Sequence, residues 1–329
     1  MDTLQILQII WFCLVGVLLI GYSILDGFDL GVASLAPFIA KDEKETGQLI
    51  TAIGPVWDGN EVWLLTGGGA LFAAFPNAYA TVFSGFYLAL MLVLFALIFR
   101  AVSMEFWTLD VENRGIWKIA FSLGSFLPAL LYGVALGNII VGIPLDNKLE
   151  FTGSFFTLLR PFPLSIGLLG LAAILMQGAT YSMLKTKGDI HKRTKELADK
   201  IWIGYIILLV LAVVLSFIFL NSFTQNIPGW ISLIIVIASL LLLKTFIKSG
   251  KEFPAFLMSS LSFIGLWGMA GSYLFPNLVV AINPANSITI ANSSSQLTLT
   301  VMLIIALIGM PIVIGYTTFV YRVFKGKVL

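Results

Sequence analysis

Apolar runs of about twenty residues recur along the whole of this chain, each long enough to cross the hydrocarbon core of a bilayer as a helix. Nine such spans are predicted, at about 4–36, 48–73, 78–105, 115–141, 159–184, 197–221, 228–247, 254–276 and 297–323. The first can also be read as ending near Gly27, with a short separate helix after it. With 59% hydrophobic and 11% charged residues among 329, a soluble globular fold is excluded, because its surface could not be kept polar. The expectation is an all-α integral membrane protein with no soluble domain, since no connection exceeds about 25 residues. The first run begins after Met1-Asp2-Thr3, without a basic n-region or a cleavage site, and is expected to be a retained helix. A net charge of +2 gives no sign of a nucleic-acid partner.

Charge in the connections orients the chain. Lys41 and Lys44, then Arg100, Arg114 and Lys118, then Lys185 to Lys200, then Lys244, Lys248 and Lys251, then Arg322, Lys325 and Lys327 all fall on one side. The alternate connections, including Pro276–Gln296, are nearly free of Lys and Arg. Positive charge stays in the cytoplasm, which puts the N-terminus outside and the C-terminus in the cytoplasm for nine spans. Eight spans would break the alternation.

Single copies of Cys13 and His191 exclude an intrachain disulfide and a thiolate or imidazole metal cluster. Cys13 is expected to be a small apolar filler. His191, in its basic stretch, is expected to be solvated or beside lipid headgroups. The chain is therefore expected to hold no haem of its own.

Within this apolar background, Gly54-Pro-Val-Trp-Asp-Gly-Asn-Glu-Val-Trp-Leu-Leu-Thr-Gly-Gly-Gly69 carries two carboxylates. Helical spacing puts Asp58, Glu61, Leu65 and Gly68 on one face, with Trp57 alongside. In a continuous second span Asp58 would lie about ten residues, roughly 15 Å, from the cytoplasmic start, too deep to reach the interface by snorkelling. A carboxylate there either carries protons or forms a buried pair, with Arg100 and Glu105 as candidate partners. Gly54, Gly59 and Gly67 to Gly69 are expected to let helices approach closely. In the first span Tyr22, Asp26 and Asp29 share a face. Either Gly27 breaks the helix and the aspartates cap a turn, or both carboxylate pairs line one polar path. Gln177 and Asn138 are expected to hydrogen-bond between helices, and Ser293 to Ser295 to cap the last helix. On these residues alone two classes remain open: a proton- or cation-coupled secondary transporter, and a helper subunit of a membrane redox enzyme.

Asp26-Gly-Phe-Asp-Leu-Gly31, Gly54-Pro-Val-Trp-Asp-Gly-Asn60, Gly67-Gly-Gly-Ala-Leu-Phe-Ala-Ala74, Phe83-Ser-Gly-Phe-Tyr87, Gly137-Asn138, Gln177-Gly-Ala-Thr-Tyr181 and Ser294-Ser-Gln-Leu-Thr-Leu299 resemble, in order, subunit II of the cytochrome bd-type quinol oxidases. The likeness runs from the first span to the last and is strongest over about residues 11–105. It implies a haem-free subunit of a bacterial cytoplasmic-membrane terminal oxidase that oxidises quinol and reduces oxygen to water. Haems b and d and the quinol-oxidation loop are then expected in the partner, subunit I. A small single-helix accessory subunit, membrane lipids and a structural quinone are further expected companions.

The fold so implied is two four-helix bundles, over about 1–145 and 146–280, and a peripheral helix over about 290–329, forming one polytopic domain. Carried onto this chain, the resemblance puts a proton pathway at Trp57, Asp58, Asp26 and Asp29. Glu61 departs from relatives that have a neutral Gln there, which makes it the least certain member.

Overall fold

The computed structural model describes residues 2–221 and 223–328. Eleven α-helices account for most of these residues: α1 (Thr3–Ile39), α2 (Glu43–Ile53), α3 (Trp57–Ala74), α4 (Pro76–Gly85), α5 (Tyr87–Leu109), α6 (Arg114–Val141), α7 (Pro161–Lys185), α8 (Gly188–Phe219), α9 (Ile227–Lys248), α10 (Glu252–Leu274) and α11 (Gln296–Val323). Eight of them, all but α2, α3 and α4, are long and apolar enough to cross a membrane.

α1 starts at a capping box. The Gln5 backbone N–H donates to Asp2 Oδ1 at 2.7 Å, and the Gln5 side chain accepts from the Asp2 N–H at 3.2 Å. The helix then runs unbroken through Gly27 to Ile39, so Asp26 and Asp29 lie within a helix rather than at a turn. The last helix is capped as the Ser run predicts, with Ser295 accepting from the Thr298 N–H.

The predicted second and third spans are each built from two helices. Pro55 has no N–H to give, and its ring opposes the carbonyl one turn back, so α2 stops at Ile53 and α3 restarts at Trp57. Asp58 is therefore in the first turn of a new helix and not ten residues along an old one. Phe86, at φ −103° and ψ 18°, interrupts the third span between α4 and α5. The basic stretch between the fifth and sixth spans is also mostly helical, because α8 begins at Gly188.

α7 is the axis of the molecule, packing against α1, α6, α8 and α10 with the most buried of the long apolar stretches. Its Gly178 lies directly on the backbone of Gly31 in α1, so near that a Cβ on either would strike main-chain atoms. The glycines expected to serve this purpose do not all do so. A Cβ on Gly59, Gly68 or Gly69 would meet nothing within 4 Å, and only Gly67 of that run faces another helix, at Leu18 and Leu19 of α1. Close approach is carried instead by Gly31 with Gly178 and by Gly133 with Gly167.

The Asn/Ser connection before α11 folds back as a cap. Its short strands β1 (Asn277–Val279) and β2 (Ile288–Thr289) pair antiparallel, while Ile143 and Ala281 form a parallel bridge. Ser294 fastens the cap to the end of α3, its N–H donating to Ala74 O at 2.9 Å and its hydroxyl to Ala73 O at 2.6 Å. Gln177 joins helices as expected, donating to Ile24 O of α1 at 3.2 Å and Ser260 Oγ of α10 at 2.9 Å. Asn138 ties α6 to the following connection, donating to Leu158 O at 2.7 Å and accepting from Arg160 at 2.9 Å.

Candidate functional site: a buried carboxylate cluster

α1, α3 and α5 bring three charged side chains of opposite sign into direct contact. Arg100 of α5 is fully buried, as is Asp26 of α1. The guanidinium donates through Nη1 to Asp26 Oδ1 at 2.7 Å and through Nη2 to Glu61 Oε1 of α3 at 2.6 Å. The Trp57 ring covers it, with Arg100 Cζ 5.8 Å from the ring centroid. Arg100 is thus the partner of Asp26 and Glu61, not of Asp58. Glu105, the other partner considered for Asp58, is exposed one turn further along α5.

One turn beyond Asp26 on α1, Asp29 is also fully buried but touches no cation among the described residues. Its Oδ2 accepts from Asn60 Nδ2 at 2.7 Å, and its Oδ1 has no hydrogen-bond partner among the described residues. Asn60 also donates to Leu25 O at 3.3 Å and accepts from the Tyr321 hydroxyl of α11 at 2.9 Å. On the other flank the Tyr22 hydroxyl donates to Tyr132 of α6 at 3.1 Å. Taking an ion pair out of water is expensive unless every lone pair and proton finds a partner. Here Asp26 Oδ2 and Arg100 Nε are without one in the chain, so the cluster is incompletely satisfied.

Two carboxylates thus share one guanidinium while a third, Asp29, lies one turn away with no cation in contact, so acidic groups outnumber basic ones in an apolar surround. Glu61 is the most exposed of the three residues in the ionic contact. Its side chain is 23% exposed, on the face of α3 that also presents Asp58, which is exposed in the isolated chain.

Sequence reading pointed to Asp26, Asp29, Trp57, Asp58 and Glu61 but missed Asn60 and Tyr321. Asn60 carries a signal, being an amide in the same turn as Asp58 and Glu61. Tyr321 carries none, because a tyrosine near the cytoplasmic end of a span reads equally as an interface anchor. A second difference concerns His191. It lies on α8, a quarter exposed, and is also paired: Nε2 lies 2.6 Å from Glu252 Oε1 of α10, and Glu252 also pairs with Lys327.

The sequence model described as cytochrome bd terminal oxidase subunit II matches residues 7–324. This chain belongs to that family. It is 36% identical to the Escherichia coli K12 cytochrome bd-I ubiquinol oxidase subunit 2, over 98% of this chain and 96% of the relative. It is 35% identical to the Bacillus subtilis cytochrome bd ubiquinol oxidase subunit 2, over 97% of this chain and 96% of the relative. A chain in the solved structure of the bd oxidase from Geobacillus thermodenitrificans has the same fold, with a TM-score of 0.82 at 16% identity over 97% of this chain and 98% of that one. The protein is a membrane subunit of an oxidoreductase complex and resides in the bacterial cytoplasmic membrane.

Proposed function

We propose that this chain is the haem-free subunit II of a quinol:oxygen oxidoreductase and that the Asp26–Arg100–Glu61 cluster, with Asp29 and Asp58, passes protons from the cytoplasm towards a haem-bearing subunit I. The observation that carries this is the cluster's geometry: fully buried on α1 and α5 but open at Glu61 and Asp58 on the outer face of α3. A carboxylate on a lipid-facing helix surface is costly. Asp58 therefore argues for a partner covering α3, and that is also where a proton bound for another chain must leave.

The haem-free reading is supported by the single histidine and single cysteine: His191 is engaged by Glu252, and Cys13 lies on the exposed surface of α1. The oxygen chemistry is accordingly assigned to the partner's haems b and d, with quinol as the electron donor.

Nine crossings, with the N-terminus outside, are supported by counting α3 with the eight long helices. The two carboxylates and the amide lower its hydropathy, yet its 18 residues span about 27 Å. In this reading α1 to α6 and α7 to α10 are the two bundles. α11, whose apolar stretch is almost wholly exposed, is peripheral and free to meet lipid or a small accessory helix.

A structural quinone would suit the apolar cavity between α1, α6, α7, α8 and α10. Its lining includes Tyr132, Ile166, Phe263 and Trp267. Extraction and chromatography of lipids from the purified complex would test this, and absence of quinone would count against it.

A secondary transporter is disfavoured by the family membership. The test is Asp58→Asn in the assembled complex. The haem spectrum is expected to be intact while oxygen consumption slows, and unchanged turnover from about pH 6 to about pH 9 would overturn the proton-path role.

A further inference from the structure

Asn60 is the hinge between the buried aspartate and the helix furthest from it in sequence. Its amide group is directed to Asp29 Oδ2 and Leu25 O, both acceptors, so its carbonyl oxygen must face a donor. That donor is the Tyr321 hydroxyl, at 2.9 Å, and it comes from the helix with the least packing of its own. The Tyr321 ring rests edge-on against Phe28, centroids 6.3 Å apart, and Phe28 stacks on Tyr181 of α7 at 3.9 Å.

The described residues after α11, Phe324–Val328, hold this end in place. Lys327 Nζ donates to Met183 O at 3.2 Å and Thr186 O at 3.0 Å and pairs with Glu252 Oε2 at 2.7 Å. The Val328 N–H donates to Lys185 O at 2.8 Å, and Lys185 Nζ returns to Phe324 O at 2.7 Å. Leu299 is the only fully buried residue described in α11. The seat of Tyr321 therefore depends on this strap across the ends of α7 and α10 more than on packing along α11.

We propose that Tyr321 is a positioning residue for the Asp29–Asn60 pair and that the segment Phe324–Val328 is the strap that keeps it there. Without the tyrosine hydroxyl, the Asn60 amide is free to rotate, and Asp29 loses the one donor it has in the chain. The inference rests on the proton-path reading. Charged and titratable groups around the pair are Asp26 from α1, Glu61 from α3, Arg100 from α5, Tyr181 from α7 and Tyr321 itself.

The test uses the assembled, haem-loaded complex. Tyr321→Phe keeps the ring and removes the hydroxyl. Haem absorbance is expected to be unchanged, oxygen consumption to fall by about threefold to tenfold (the size of one hydrogen bond), and the turnover–pH profile to be displaced. Wild-type turnover with a wild-type profile overturns the role of Tyr321. Lys327→Ala is expected to displace the profile in the same sense, and combining it with Tyr321→Phe should slow the enzyme no further than Tyr321→Phe alone. Additive slowing overturns the strap. Should Lys327→Ala fail to assemble, Tyr321→Phe decides alone. Asp58→Asn and Asp29→Asn separate the two levels: if Asp58→Asn turns over normally the proton path itself fails, and if Asp29→Asn is slow while Tyr321→Phe is normal only the positioning role fails.

Discussion

Two three-membered ionic clusters among the described residues are built in opposite proportion: two carboxylates share one guanidinium in the first, and one carboxylate is shared by a lysine and a histidine in the second. Asp26, Arg100 and Glu61 join α1, α5 and α3, while His191, Glu252 and Lys327 join α8, α10 and the segment after α11. In the first, Arg100 and Asp26 have no exposure at all. In the second, His191, Glu252 and Lys327 are each about a quarter exposed. Their surroundings differ as much as their partners do. A pair in contact with water is screened and repaired by solvent, so it fastens elements gently. In an apolar interior every change of charge must be compensated on the spot, so the first cluster is both a structural liability and a place where a proton matters.

The largest expected effect comes from removing the buried guanidinium. Arg100→Leu leaves Asp26 without a cation and should cost about 3–5 kcal/mol, seen as a collapse in the yield of haem-loaded complex. Replacing the cluster as a unit, with Asp26→Leu, Glu61→Gln and Arg100→Leu together, should restore assembly while oxygen consumption stays low. Recovery of both assembly and turnover would erase the distinction between the two clusters. Glu252→Gln is expected to lower thermal stability by no more than about 1 kcal/mol, with the difference shrinking in high salt. A loss as large as that of Arg100→Leu would mean the outer cluster is not water-screened.

A smaller test concerns a lone carboxylate outside the membrane. The Trp117 indole N–H, at 3.0 Å, and then the Asn113 amide hold the Asp110 carboxyl below the usual carboxylate range. A lowered value in the folded state means stability present above the unfolded value and lost as pH falls through the folded one. Trp117→Phe should therefore be slightly less heat-resistant than wild type near neutrality, and the two should converge as pH falls below the carboxylate range. A difference that grows on acidification would contradict this.

Much of the carboxylate site was legible because charged residues are conspicuous in a greasy helix. Asp26, Asp29, Asp58 and Glu61 stood out by their cost alone. Arg100 was a candidate partner for the second-span carboxylates, and it meets Glu61, but nothing in the sequence showed that it also takes Asp26, 74 residues away on α1. The break at Pro55 was available in the Gly-Pro dipeptide, yet hydropathy averages across it and so merges α2 with α3. The close glycine contact was misplaced for a related reason: a run of small residues attracts notice, whereas Gly31 and Gly178 matter singly because two helices happen to cross there.

By itself, the sequence determined the membrane-spanning class, the position of the long helices and the family, because a backbone in lipid must satisfy its hydrogen bonds locally and hydropathy records where it does so. Tertiary structure alone decided which carboxylate meets Arg100, which is left to Asn60, and that Tyr321 reaches them from α11. Those contacts join helices distant in the chain. Their specificity lies in crossing angles and side-chain reach, which no local pattern of residues encodes.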